Sequence, residues 1–128
     1  MSELDKESVV GISALLVHAA NIDEIYSDHE KNLVKNFIKS YLEDADTNQI
    51  LKKAEEIENN SNQLLDYTNI IKKNSMDVKK DIIEHLWKVI ISDNSIDQYE
   101  SNLMRRICGL IYFPDKESAE IKLKLINK

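Results

Sequence analysis

The chain has 128 residues, of which 42% are hydrophobic, and it carries a formal net charge of −6. This length and composition suit one folded domain and argue against disorder, while the single cysteine, Cys108, excludes an internal disulfide framework. The negative charge argues against nucleic-acid partners, and no apolar run approaches the roughly 20 residues that span a bilayer. We therefore expect a soluble, cytoplasmic protein that does not bind nucleic acid and does not insert directly into a membrane.

Apolar residues recur at helical spacing along the whole chain, as at Leu33, Val34, Phe37 and Ile38. The chain has only two glycines and one proline, which are too few for the tight turns of a β-sandwich or barrel. The pattern predicts an all-α fold. We expect a compact bundle of about seven helices, near residues 5–21, 28–42, 48–59, 63–73, 76–91, 98–111 and 116–126.

Polar residues mark the starts of several predicted helices. Ser27 and Asp97 each stand three residues before a glutamate, Glu30 or Glu100, which is the spacing of a capping box. Further predicted N-caps are Thr47, Asn62 and Ser75.

The sequence resembles itself at an interval of 70 residues. In each half, an apolar helix leads into a short segment that contains aspartate, and the helix after it carries glutamate in its first turn. Identical pairs around the two segments include Leu16 and Leu86, Asp23 and Asp93, Glu30 and Glu100, Asn32 and Asn102, and Leu33 and Leu103. The repeat predicts a single domain over residues 1–128 with pseudo-twofold halves at about 8–60 and 75–127.

The acids of the repeat have two alternative roles. Glu30 and Glu100 gain roughly 0.3–1 kcal/mol from a place in a first helical turn and can close capping boxes. Asp23 and Asp93 instead follow a helix C-terminus, where the helix dipole disfavours an anion, so an Asx-type turn or a cation must compensate. Carboxylates are ligands that calcium and similar cations prefer, although the spacing is not that of an EF-hand. The candidate metal ligands are Asp23, Glu30, Asp93, Asp97 and Glu100, and both roles remain open.

The two segments, each with aspartate followed seven residues later by glutamate, resemble the signature of the tellurite-resistance TerB-like family. The stretch 86–106, with Asp93 and Glu100, looks closest, and the similarity to the stand-alone, uncharacterised branch of the family extends over about residues 8–125. The resemblance implies a compact helical fold with internal pseudosymmetry and a clustered acidic surface. It also implies an association with tellurite and other chemical stress, and metal binding through the acids of the two segments.

Three positions depart from that family pattern. Where the segment commonly has glycine, this chain has Asn94 in the second half and Glu24 in the first, and asparagine tolerates a left-handed backbone better than glutamate does. The capping position in the first half is Ser27, a weaker ligand than aspartate. These differences favour the second segment over the first as a cation site.

Four residues within predicted helices are assigned to packing. A glycine inside a helix costs roughly 1 kcal/mol relative to alanine, so we expect Gly11 and Gly109 to mark close approach between helices. Cys108 falls on an apolar stripe and is expected to be a small core residue. Trp87 neighbours another such stripe, and a core position is favoured over a place in a partner groove.

A binding or adaptor domain is expected, not an enzyme. The histidines and the one cysteine do not form a zinc-ligand cluster, and no second histidine completes a metalloprotease motif after His29. Asp81 and His85, one helical turn apart, predict a hydrogen bond or an ion pair. The expected partner is another protein, and the one cofactor considered is a divalent cation such as calcium. Two alternatives remain, namely a metal-free interaction domain whose acids only cap helices, and an unrecognised hydrolase that uses His18, His29 or His85.

Overall fold

Seven helices make up the part of the chain that the computed structural model describes, which is residues 4–21, 27–43, 46–60, 64–91 and 98–127, without the side chains of 64–66 and 98–100. No strand occurs within these ranges. Each predicted helix boundary lies within one residue of the observed one, so the all-α prediction is confirmed. The helices are α1 (Lys6–Ala20), α2 (Asp28–Tyr41), α3 (Thr47–Asn60), α4 (Leu64–Lys72), α5 (Met76–Ile91), α6 (Gln98–Ile111) and α7 (Asp115–Ile126).

Helix α1 is the centre of the fold. Eleven of its fifteen residues are buried, and it packs against α2, α3, α4 and α5. A helix that is apolar around most of its circumference needs neighbours on several sides, and the sequence of α1 supplies that pattern. The helix begins after Asp5, whose Oδ1 accepts a hydrogen bond from the Ser8 N–H at 2.7 Å.

Helices α2, α3, α4 and α5 pack directly against α1, and α6 and α7 pack against helices of this inner group. Helix α2 contributes Phe37 and Ile38, and α5 contributes Ile83 and Leu86, all of them fully buried. Helix α4 packs against α1 and α6, while α7 packs against α5 and α6. Within the described ranges, no helix is long and apolar enough to cross a bilayer. The internal repeat stays a prediction.

The helix ends show which polar residues act as caps. The prediction for Ser75 is confirmed, because its Oγ accepts the Val78 N–H at 3.4 Å. The prediction for Thr47 is wrong, since Asp46 Oδ1 accepts the N–H groups of residues 48 and 49 at 3.1 and 3.3 Å. Thr47 is the first residue of α3, and the aspartate before it adds a charge that the helix dipole favours. Asn62 lies outside the described residues.

The two glycines differ in their surroundings. A Cβ atom built on Gly11 would lie 2.5 Å from Ile70 Cδ1, so close contact between α1 and α4 is confirmed there. The same expectation is wrong for Gly109, which is exposed and would place its Cβ more than 4 Å from other groups. Helix α6 ends two residues after Gly109, and the left-handed residue that follows the helix is Tyr112, with φ of 61°.

Candidate functional site

Each of the two acidic segments of the sequence lies between two consecutive helices. The first lies between the end of α1 and the start of α2, and the second between the end of α5 and the start of α6. Three of the predicted metal ligands, Asp23, Asp93 and Asp97, lie outside the described residues. Glu100 lies in the first turn of α6, although its side chain is also outside the described part. Glu30 is therefore the predicted ligand whose side-chain contacts can be followed.

Glu30 closes a capping box with Ser27, as the sequence predicts. The Ser27 backbone N–H and Oγ–H donate to Glu30 Oε1 at 2.9 and 3.1 Å, and the Glu30 N–H donates to Ser27 Oγ at 3.2 Å. The side chain is buried, with 4% of the residue exposed. One carboxylate oxygen of Glu30 is thus engaged twice in holding the start of α2, directly after the first acidic segment.

A second carboxylate holds the other border of that segment. Glu58 of α3 accepts a hydrogen bond from Asn21 Nδ2 at 3.1 Å through Oε1, and its Oε2 lies 3.4 Å from His18 Nδ1. Asn21 is the residue after α1, so Glu58 contacts the chain where it leaves that helix. Sequence reasoning missed Glu58 because the contact joins positions 37 and 40 residues apart, and no local pattern marks it.

The described residues contain no group of three or more histidine, cysteine, aspartate or glutamate side chains that could hold a metal ion. This finding concerns sites other than the two acidic segments, since most of the predicted ligands lie outside the described part. The metal site composed of Asp23, Glu30, Asp93, Asp97 and Glu100 stays a prediction.

A polar cluster joins α2 to α5. The expected pair of Asp81 and His85 is present, with Oδ1 and Nε2 3.7 Å apart. Tyr41, which the sequence did not suggest, donates its hydroxyl hydrogen to Asp81 Oδ2 at 2.6 Å, and the ring of Phe37 meets that of His85 edge-on at 5.1 Å. Burial lowers the pKa of His85 against the opposing effect of the Asp81 charge. The short Tyr41 bond and the edge-on ring contact are typical of residues that hold two helices together.

Two residues assigned to packing, Trp87 on α5 and Cys108 on α6, are buried. Trp87 is 5% exposed and donates its indole N–H to Ser118 Oγ at 3.0 Å, which links α5 to α7. Cys108 is also buried, and burial raises the pKa of its thiol to about 11. Both packing predictions are confirmed, and a thiol with so high a pKa is a poor nucleophile at neutral pH.

A cavity of about 550 Å³ lies among α1, α3 and α4. Its walls are mainly apolar and include Val10, Gly11, Ile57, Tyr67 and Ile70. Charged residues at the cavity are Lys6, Glu7 and Lys53, all three exposed to solvent. Sequence reasoning did not find this cavity, because its walls come from three helices that are separated along the chain.

A family model described as "Tellurite resistance protein TerB" matches residues 10–123. No curated protein and no solved structure matches the chain.

Proposed function

The chain belongs to the TerB tellurite-resistance family, and we propose that it is a non-enzymatic binding domain of a chemical stress response whose acidic segments hold a divalent cation. The cation orders the acidic face, and this face contacts another protein. The observation that carries the proposal is the position of the acids. In both halves, an aspartate follows the end of an apolar helix, and a glutamate seven residues later stands third in the next helix.

The chemistry of the first position favours a cation. Asp23 and Asp93 come after the C-terminal ends of α1 and α5, where the partial negative charge of the helix raises the free energy of a carboxylate. A divalent cation reverses that penalty, because it attracts both the carboxylate and the terminal carbonyl groups. Oxygen ligands are the ones that calcium and magnesium prefer, so a hard cation is the expected occupant.

The second segment is the stronger candidate of the two. It offers Asp93, Asp97 and Glu100, with Asn94 where the family commonly has glycine. In the first segment, Glu30 already uses Oε1 for two hydrogen bonds to Ser27. If that oxygen coordinated a cation, those bonds would be lost, and their loss would offset part of the free energy gained by coordination.

The same capping box favours a second candidate function. In a metal-free interaction domain, the acids cap helices and present a negative surface to a basic partner. The burial of Glu30 and its contacts with Ser27 are what this alternative requires. The two candidates differ in whether a cation stabilises the fold through Asp93.

Thermal unfolding of the chelator-treated protein with calcium, magnesium, manganese or zinc tests the proposal. A cation at 100 times its dissociation constant stabilises the native state by about 2.7 kcal/mol. With an unfolding entropy of about 2.1 cal/mol/K per residue, the melting temperature of this chain rises by about 10 °C. We expect Asp93→Asn to remove that shift. Asp77→Asn, an exposed aspartate on α5, is the matched control and should keep it.

The outcomes separate the candidates. A shift with one cation that Asp93→Asn removes and Asp77→Asn keeps supports the cation site. If no cation changes the melting temperature while Asp93→Asn still lowers it, the acids are structural and the metal-free interaction domain is the better model. Turnover of a substrate that depends on His18 or His29 would overturn the non-enzymatic assignment.

A further inference from the structure

The cavity among α1, α3 and α4 has the size and surface of a small-molecule site. Its volume of about 550 Å³ lies within the roughly 300–1,000 Å³ that ligand pockets occupy. Val10, Ile57 and Ile70 supply aliphatic surface, and Tyr67 is almost fully buried at 2% exposure. Apolar walls of this kind hold water poorly, so an apolar group gains free energy by entering.

Ile57 marks the side of the cavity that is open to solvent. It is 39% exposed, although it lies on the same helix as the fully buried Ile50 and Ala54. Elsewhere in the lining, Gly11 lacks a side chain, and this leaves room for Ile70 to lie against the backbone of α1. An occupant with an apolar body would cover the exposed part of Ile57 and contact the wall that Gly11 and Ile70 form.

The charges at the cavity determine which charge the polar end of such an occupant should carry. Lys6 stands at the start of α1 and Lys53 in the middle of α3, and neither forms an ion pair among the described residues. Their flexible aliphatic stems can lie along apolar surface while the ammonium groups stay in water. Glu7 is the opposing charge, so the charged residues at the cavity sum to +1. This arrangement complements an occupant with an apolar chain and one negative group at its end.

We propose that this cavity binds a single-chain anionic amphiphile, with the alkyl chain among Val10, Ile57, Tyr67 and Ile70 and the carboxylate near Lys6 and Lys53. The site is separate from the acidic segments, and it does not require that those segments bind a cation. The alkyl chain supplies most of the affinity, since each buried methylene contributes about fourfold to binding. The lysines select the sign of the head group, because exposed ion pairs contribute only about two- to fivefold.

Isothermal titration calorimetry with straight-chain carboxylates of increasing length, kept below the concentration at which they aggregate, tests the chain-length dependence. Affinity should rise by about fourfold for each added methylene until the cavity is full. Alcohols and alkyltrimethylammonium ions of the same length test the charge. The carboxylate should bind most tightly and the cation least.

Four variants test whether the ligand binds in this cavity. Ile57→Trp at the open side should weaken binding more than tenfold, since displacing about two methylene groups has that effect. Lys53→Gln should weaken it about two- to fivefold, and Glu7→Gln should strengthen it by a similar factor. Lys52→Gln is the matched control, because Lys52 is an exposed lysine on the same helix that does not line the cavity. Circular dichroism checks that each variant folds.

The proposal is supported if affinity depends on chain length, if Ile57→Trp abolishes that dependence, and if Lys53→Gln and Glu7→Gln change affinity in opposite directions. Equal affinity for carboxylate, alcohol and ammonium ligands overturns the anionic assignment. If no amphiphile binds, the cavity is not a ligand site. A concentration-dependent dimer that Ile57→Trp dissociates also overturns the proposal, because a second copy of the chain then occupies the cavity.

Discussion

Replacing Glu30 by alanine removes the carboxylate half of the capping box at the start of α2, while the backbone N–H of residue 30 can still donate to Ser27 Oγ. Glu30 Oε1 accepts hydrogen bonds from the Ser27 N–H at 2.9 Å and from the Ser27 hydroxyl at 3.1 Å, in a side chain that is buried. A hydrogen bond to a charged group contributes about 1.5–3 kcal/mol. Because both lost bonds share Glu30 Oε1, we expect Glu30→Ala to lower the free energy of unfolding by about 2 kcal/mol. This corresponds to a fall of about 7 °C in melting temperature.

The measurement is urea and thermal unfolding in the presence of a chelator, so that any cation effect is absent. Asp28→Ala is the matched control, since Asp28 is an exposed acid in the same helical turn and contributes only the roughly 0.3–1 kcal/mol of a dipole interaction. A double-mutant cycle with Ser27→Ala isolates the contact, because the double variant should lose clearly less than the two single losses added together. Additive losses, or equal losses for Glu30→Ala and Asp28→Ala, would show that the capping box does not stabilise α2.

Three further predictions concern the rest of the fold. Gly109→Ala should raise the free energy of unfolding by about 0.5–1 kcal/mol. Gly11→Ala should raise it by less, because the new Cβ displaces a side chain of α4. Urea unfolding measures both changes. Ellman's reagent should modify buried Cys108 only as fast as the protein opens, and at once in denaturant; rapid reaction of the native protein contradicts this. Burial lowers the pKa of His85, so the unfolded state binds the proton more readily and stability falls as pH decreases below about 6.5. Melting curves from pH 7 to 5 should show a weaker pH dependence for His85→Gln than for the original protein; an equal dependence contradicts this assignment.

The helices could be predicted from the sequence because their causes are local. Apolar spacing and the near absence of glycine and proline are properties of short windows, and they fixed all seven elements to within one residue. The capping box of Ser27 and Glu30 was predictable for the same reason. Thr47 shows the limit of local signals. Two good capping residues stand side by side there, and the sequence does not decide which one precedes the helix.

Contacts between distant segments could not be predicted, and these contacts determine the chemistry of the candidate site. Glu58 reaches Asn21 and His18 because α3 packs against α1, and nothing near Glu58 in the sequence indicates that partner. As a result, Glu58 contacts Asn21 just before the first acidic segment, and Glu30 contacts Ser27 just after it. The two glutamates would therefore stabilise the fold even without a cation. A loss of stability on mutating Glu30 therefore does not measure cation binding. A cation-dependent rise in melting temperature that disappears with Asp93→Asn does measure it.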